Sequence, residues 1–109
     1  MKLNHLGVVV TDVLATRTFL ETSFGLTGIG RAGRRMTHLH DEDGFALSLF
    51  AGEQASEVHI GFIQVSEGAV NAIYDRLRAD GFEMEPPRRS HGWTFSVTAP
   101  GGLIVEVVC

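Results

Sequence analysis

An α+β fold made of two copies of a strand–helix–strand–strand–strand (βαβββ) module is predicted by three observations. A His-aliphatic-Gly-apolar strand motif occurs twice, as His5-Leu6-Gly7-Val8 and as His59-Ile60-Gly61-Phe62. Each copy leads into a helix-starting pair, Thr11-Asp12 or Ser66-Glu67, and then a helical stretch that stops at Gly25-Leu26 or Gly81-Phe82. Each half closes on an apolar strand, Gly44–Phe50 in the first and Gly102–Val108 in the second. Arg34-Arg35 and Arg88-Arg89 add a further match, and all these landmarks recur at a spacing of 54–58 residues. Landmarks repeated in one order mark a duplication, with the drift in spacing assigned to loops.

The elements follow from local chemistry. In module one (1–54), strands are expected near 3–10, 27–33, 35–40 and 45–50, with a helix near 13–24. In module two (55–109), strands are expected near 57–65, 82–86, 92–98 and 103–108, with a helix near 67–80. The side-chain oxygens of the pairs Thr11-Asp12 and Ser66-Glu67 can accept from free backbone N–H groups. Val70, Ile73 and Leu77 recur at helical spacing, while Asp75, Arg76 and Arg78 project elsewhere. Val13, Leu20 and Phe24 keep the same spacing in the first helix, where Thr16 and Arg17 interrupt the stripe. Gly25 and Gly81 stand where a helix ends in the left-handed conformation. The join near 52–56 is short and carries no Ser/Gly-rich or charged linker, so residues 1–109 read as one domain of two modules.

A chain of 109 residues with a 44% hydrophobic fraction has material for a core, and at this size roughly two-thirds of the extended surface is buried on folding. The net charge of −4 lacks the basic face of a nucleic-acid binder. Cys109 is the one cysteine, which excludes an intrachain disulfide and fits a reducing, cytoplasmic setting. Leu6–Val10 is too short for a signal core or a membrane span.

Strand alternation then sorts the side chains by face. His5, Gly7 and Val9 point one way, and Leu6, Val8 and Val10 the other. His59, Gly61 and Ile63 share a face. On the last strand, Ile104, Glu106 and Val108 oppose Leu103, Val105 and Val107. If the fully apolar rows pack under the helices, the remaining faces carry His5, His59 and Glu106. A carboxylate inside Leu103–Val108 is costly to desolvate unless it is paired or coordinates a cation.

His5 in Asn4-His5-Leu6-Gly7, His59 in Val58-His59-Ile60-Gly61-Phe62, and Glu106 after Pro100-Gly101-Gly102 together resemble the ligand positions of the vicinal-oxygen-chelate superfamily. This is the glyoxalase, bleomycin-resistance and extradiol-dioxygenase group, and the resemblance covers essentially the whole chain. It departs at Ala99-Pro100-Gly101-Gly102, where the family usually has an Asp-Pro-Asp-Gly-Asn type of turn. Pro and Gly still supply the bend, but an acidic side chain is lost. The resemblance implies a curved mixed-sheet cup with helices on the outer face and a metal held by His5, His59 and Glu106. In many two-module members the pairing is swapped, so that His5 of one chain meets His59 and Glu106 of its partner in a C2 homodimer. Pairing within one chain stays open. Two imidazoles and a carboxylate leave coordination positions free and suit Fe(II), with Mn(II), Zn(II) and Ni(II) admissible.

The repeat takes Glu106 back to Ser48. Glyoxalase-I-type isomerases place a carboxylate there as fourth ligand and proton-transfer base, and Ser48 has no comparable basicity. Isomerase activity is therefore disfavoured. Three ligands resemble instead the ring-cleaving dioxygenases and the fosfomycin-modifying thiol transferases. No dense set of Lys and Arg is present to hold a phosphonate, which counts against the transferase. Acid–base candidates are His91 and His38, though each reads as readily as a loop or surface histidine. His38-Leu39-His40, followed by Asp41-Glu42-Asp43, has the i, i+2 spacing of a metal-binding strand pair but reads first as a solvated hairpin. Trp93 and Phe95 alternate on one strand and read as core, with an aromatic wall for a flat ligand as the alternative, and Tyr74 packs on the outer helix. Arg34-Arg35 and Arg88-Arg89 read as flanking turns, with the alternative that one of them meets an anionic substrate.

The leading expectation is a metal-dependent small-molecule enzyme, dioxygenase-like first and lyase- or transferase-like second. The alternatives are a metal-free protein that sequesters an antibiotic-like or aromatic compound, and a cup serving only assembly. Neither nucleic acid nor membrane is an expected partner.

Overall fold

The computed structural model describes residues 1–109, with ten elements in the order βαβββ–βαβββ. The first set is β1 (His5–Val10), α1 (Val13–Phe24), β2 (Thr27–Ile29), β3 (Met36–His40) and β4 (Ala46–Ala51). The second is β5 (His59–Ile63), α2 (Glu67–Ala79), β6 (Arg88–Arg89), β7 (Trp93–Thr98) and β8 (Ile104–Val108). Each set forms a four-stranded mixed sheet, ordered β1-β4-β3-β2 and β5-β8-β7-β6. In each, the first strand runs parallel to the last and the remaining pairs are antiparallel. The duplicated α+β architecture expected from the repeat is therefore present. No helix is long and apolar enough to cross a membrane.

By internal packing the chain divides into two compact units, Met1–Val58 with Ala99–Leu103, and His59–Thr98 with Ile104–Cys109. The core of the first lies under α1, which packs on β3 and β4 over Val8, Val10, Leu39, Leu47 and Leu49. The core of the second lies under α2, which packs on β7 and β8 over Phe95, Val97, Val105 and Val107. Tyr74 of α2 meets Phe95 edge-on at 5.4 Å between ring centroids. The apolar rows of each strand do face the helices, which leaves the opposite face of each sheet for polar side chains.

Both helix starts are capped as expected: Asp12 Oδ1 accepts from the Ala15 N–H at 3.0 Å, and Ser66 Oγ from the Ala69 N–H at 3.1 Å. Asp12→Ala is expected to cost about 1 kcal/mol of unfolding free energy in denaturant titration, and Asp12→Asn to retain most of it. The first helix ends at Gly25 with φ of 70°, where the Gly25 N–H donates to the Glu21 carbonyl and the Leu26 N–H to the Leu20 carbonyl, both at 3.2 Å.

The Ala99–Leu103 turn belongs to the first unit. The Thr11 N–H donates to the Gly101 carbonyl at 2.9 Å, and Thr16 Oγ1 donates to the Pro100 carbonyl. Gly101 adopts φ of 92°, and a Cβ there would strike Thr16 Oγ1 and come within 2.9 Å of the Asp12 carbonyl oxygen. The missing acidic side chain in this turn is thus matched by a glycine that lets the backbone lie against the start of α1.

Three expectations are corrected. No strand forms over 82–86; the second strand of the second set is only Arg88–Arg89. Pro86 and Pro87 have no N–H to give a ladder, so pairing begins after them, and the arginines expected to flank a turn form β6 itself. Arg34-Arg35 and Arg88-Arg89 are consequently not structural equivalents, since Arg35 immediately precedes β3, the third strand of its set. Arg89 pairs with Glu67 and lies 5.2 Å over the Trp93 ring, whose Nε1 donates to Asn71 Oδ1. Trp93 is accordingly only half-buried, while Phe95 is core.

Candidate metal centre

Register decides which groups meet. In the second unit β5 and β8 pair Gly61 with Glu106, and β7 and β8 pair Ser96 with Glu106. Directly paired residues share a face, so His59, Glu106, Thr94 and Ser96 all project away from α2. The Glu106 side chain retains 16% exposure, set in a strand whose neighbours Val105 and Val107 are fully buried. Its two oxygens differ. Oε2 accepts from Thr94 Oγ1 at 2.9 Å and faces His91 Nε2 at 3.0 Å. Oε1 faces His59 Nε2 at 3.9 Å, beyond hydrogen-bonding reach. A Cβ at Gly61 would lie 4.0 Å from this oxygen, in ordinary van der Waals contact.

Beside the carboxylate lies a polar cleft of about 290 Å³, with Glu85, Arg88, Ser90, His91 and Ser96 in its wall. The sequence assigns Thr94 no role, and Arg88 only that of a turn residue with the alternative of meeting an anionic substrate. Their placement depends on the β6–β7–β8 register, which no motif announces.

In the first unit His5 stands on β1 beside Ala46, and its Nδ1 lies 2.8 Å from Asn4 Oδ1. Ser48 pairs with Gly7 and His38, the same register that Glu106 has with Gly61 and Ser96. Ser48 is therefore the structural counterpart of Glu106, as the repeat spacing indicates. His38 Nδ1 lies 2.8 Å from Ser48 Oγ. Asp41 Oδ1 accepts from the N–H groups of Asp43 and Phe45, a closed turn rather than an open ligand set. The structure thus gathers His59, His91 and Glu106 in one unit and places His5 in the other. No three His, Cys, Asp or Glu side chains of the single chain are grouped to hold a metal ion.

The donor chemistry around Glu106 nevertheless fits a divalent cation. Metal–nitrogen and metal–oxygen bonds of roughly 2.0–2.2 Å sum to more than the 3.9 Å between His59 Nε2 and Glu106 Oε1. His59 and Glu106 would be the residues of this unit to hold one ion with the two side chains drawn somewhat closer, since donors at tetrahedral angles lie nearer one another than the sum of their bonds.

Two βαβββ sheets, each presenting histidine and a paired Ser or Glu on the face opposite its helix, define a class of small duplicated α+β proteins. The chain belongs to the Glyoxalase/Bleomycin resistance protein/Dioxygenase superfamily, whose model matches residues 2–107. It is similar to a possible glyoxalase from Bacillus cereus, with 45% identity, a TM-score of 0.91, and coverage of 100% of this chain and 99% of the other. Lactoylglutathione lyase from Agrobacterium tumefaciens is similar in fold at 17% identity and a TM-score of 0.81, over 98% and 92% of the two chains. The fosfomycin resistance protein FosX from Listeria monocytogenes, complexed with Mn(II) and sulfate, is similar in fold at 21% identity and a TM-score of 0.78, over 99% and 89%. No curated protein sequence matches the chain.

Proposed function

We propose that this protein is a metal-dependent small-molecule enzyme in which His5, His59 and Glu106 hold one divalent ion. The observation that carries the reading is the pairing of His59 Nε2 with a half-sunk carboxylate oxygen at 3.9 Å, too far for a hydrogen bond and close enough to share an ion. The Mn(II) complex of FosX supports a divalent ion in this fold; Fe(II), Mn(II), Zn(II) and Ni(II) all suit two imidazoles and one carboxylate. His5 is supplied by the partner subunit of a C2 homodimer. The faces away from the helices carry exposed apolar groups, Met36 and Phe50 in the first unit and Ile63 and Ile104 in the second, which suits burial against a second copy.

A divalent ion bound there supplies Lewis-acid polarisation to a substrate chelated through two oxygens. The chain's own residues do the rest. His5 and His59 give neutral imidazole nitrogens, and Glu106 gives one negative charge. Ser48 Oγ anchors His38 Nδ1, leaving His38 Nε2 as the group able to take or return a proton from the face where Ser48 stands. The arrangement favours dioxygenase-like chemistry first, then lyase- or transferase-like chemistry. Glyoxalase-I-type isomerisation is disfavoured because a hydroxyl occupies the counterpart of Glu106.

Metal analysis of the full chain purified without a histidine tag tests the reading. Stoichiometric metal that is lost in His59→Ala is expected. A native protein that carries no metal, takes up none of the four ions, and binds a flat aromatic compound would identify a sequestering protein instead.

A further inference from the structure

We infer that His91 is a positioning residue for the candidate centre: it holds Glu106 Oε2 so that Oε1 is the oxygen presented to the ion. The inference rests on the metal-dependent reading above and adds a residue that no ligand pattern supplies. An ionised carboxylate only accepts, so in the 3.0 Å ion-pair contact between His91 Nε2 and Glu106 Oε2 the ring is the electropositive partner. Thr94 Oγ1 reaches the same oxygen at 2.9 Å, but it lies equally 2.9 Å from the Val107 carbonyl. A hydroxyl has one hydrogen, so Thr94 divides it between two acceptors. The imidazole Nε2 is set against the carboxylate.

His91 is well placed for such a role because its backbone is fixed. It stands at the tip of the β6–β7 connection, closed by the Ser90 N–H donating to the Gly92 carbonyl at 2.9 Å. Trp93 and Cys109 exchange backbone hydrogen bonds of 3.2 and 3.1 Å directly beyond it. Gly92 lies so close to this pair that a Cβ would strike the Cys109 carbonyl oxygen. The ring itself is 61% exposed and fills no core space. With Thr94 Oγ1 and His91 Nε2 both against Oε2, rotation of the carboxylate breaks both contacts, and Oε1 stays directed at His59. Outer partners of this kind orient ligating carboxylates, and their loss typically weakens metal binding about 10–100-fold.

Isothermal titration of the metal-free full chain with Mn(II) tests the assignment. His91→Ala is expected to weaken Mn(II) binding about 10–100-fold with unchanged stoichiometry, and His91→Gln, which keeps an N–H donor, to recover most of that loss. The melting temperature of both metal-free variants is expected to match that of the wild type, separating positioning from a structural role. Unchanged or tighter binding by His91→Ala, or complete loss of the binding site, would overturn the positioning role while leaving the metal-dependent reading in place. A wild-type chain that binds no Mn(II), Fe(II), Zn(II) or Ni(II) would overturn both.

Discussion

Refolding an equimolar mixture of His5→Ala and Glu106→Ala chains is expected to restore about one-quarter of the wild-type metal content, although each variant alone binds none. The argument is one of symmetry. In a C2 dimer with exchanged ligands, each site takes His5 from one chain and His59 with Glu106 from the other. The His5→Ala chain keeps His59 and Glu106, and the Glu106→Ala chain keeps His5. A heterodimer therefore has one complete site and one site missing both groups. Random pairing makes about half the dimers heterodimeric, and half their sites are complete. If His5, His59 and Glu106 of the same chain form the site, mixing restores nothing. Metal per chain, measured after refolding and removal of free ion, separates the two arrangements. A wild-type sample refolded in parallel guards against a refolding loss.

What the sequence disclosed, and what it withheld, follows from the range of the interactions involved. Helix α1 occupies the expected residues 13–24 because its ends are set by local groups, the Asp12 oxygen and the left-handed Gly25. The equivalence of Ser48 and Glu106 was legible because the antiparallel pairs β3–β4 and β7–β8 keep the same register across the repeat. The faces of β1, β5 and β8 were legible from alternation alone. The segment before β6 was not, because a repeat argument carried the first module's strand onto residues where Pro86 and Pro87 prevent pairing. Nor could spacing place His91. Its contact with Glu106 depends on how tightly the β6–β7 turn folds over the end of β8, a long-range packing outcome with no periodic signal. The sequence singled out His91 as a candidate acid–base group; the structure puts its ring against the carboxylate.

Glu106→Leu is expected to separate the stability of the fold from the stability conferred by metal, with a large effect on the second and little on the first. In the metal-free protein the carboxylate is a charged group in an otherwise apolar strand, 16% exposed. Such a group contributes less to stability than a well-packed apolar side chain of similar volume. Its removal leaves no buried orphan, because Thr94 Oγ1 still donates to the Val107 carbonyl and the exposed His91 ring turns to water. Metal-free Glu106→Leu should therefore unfold at or above the temperature of the metal-free wild type. Adding metal at 100 times its dissociation constant stabilises a binding-competent chain by about 2.7 kcal/mol. At about 4–8 °C per kcal/mol for a domain near this size, that is a rise of roughly 10–20 °C. Wild type should show this rise in a thermal scan, and Glu106→Leu should show none. A metal-free variant melting well below wild type would mark Glu106 as a structural residue, and a metal-dependent rise surviving the substitution would place the ion elsewhere.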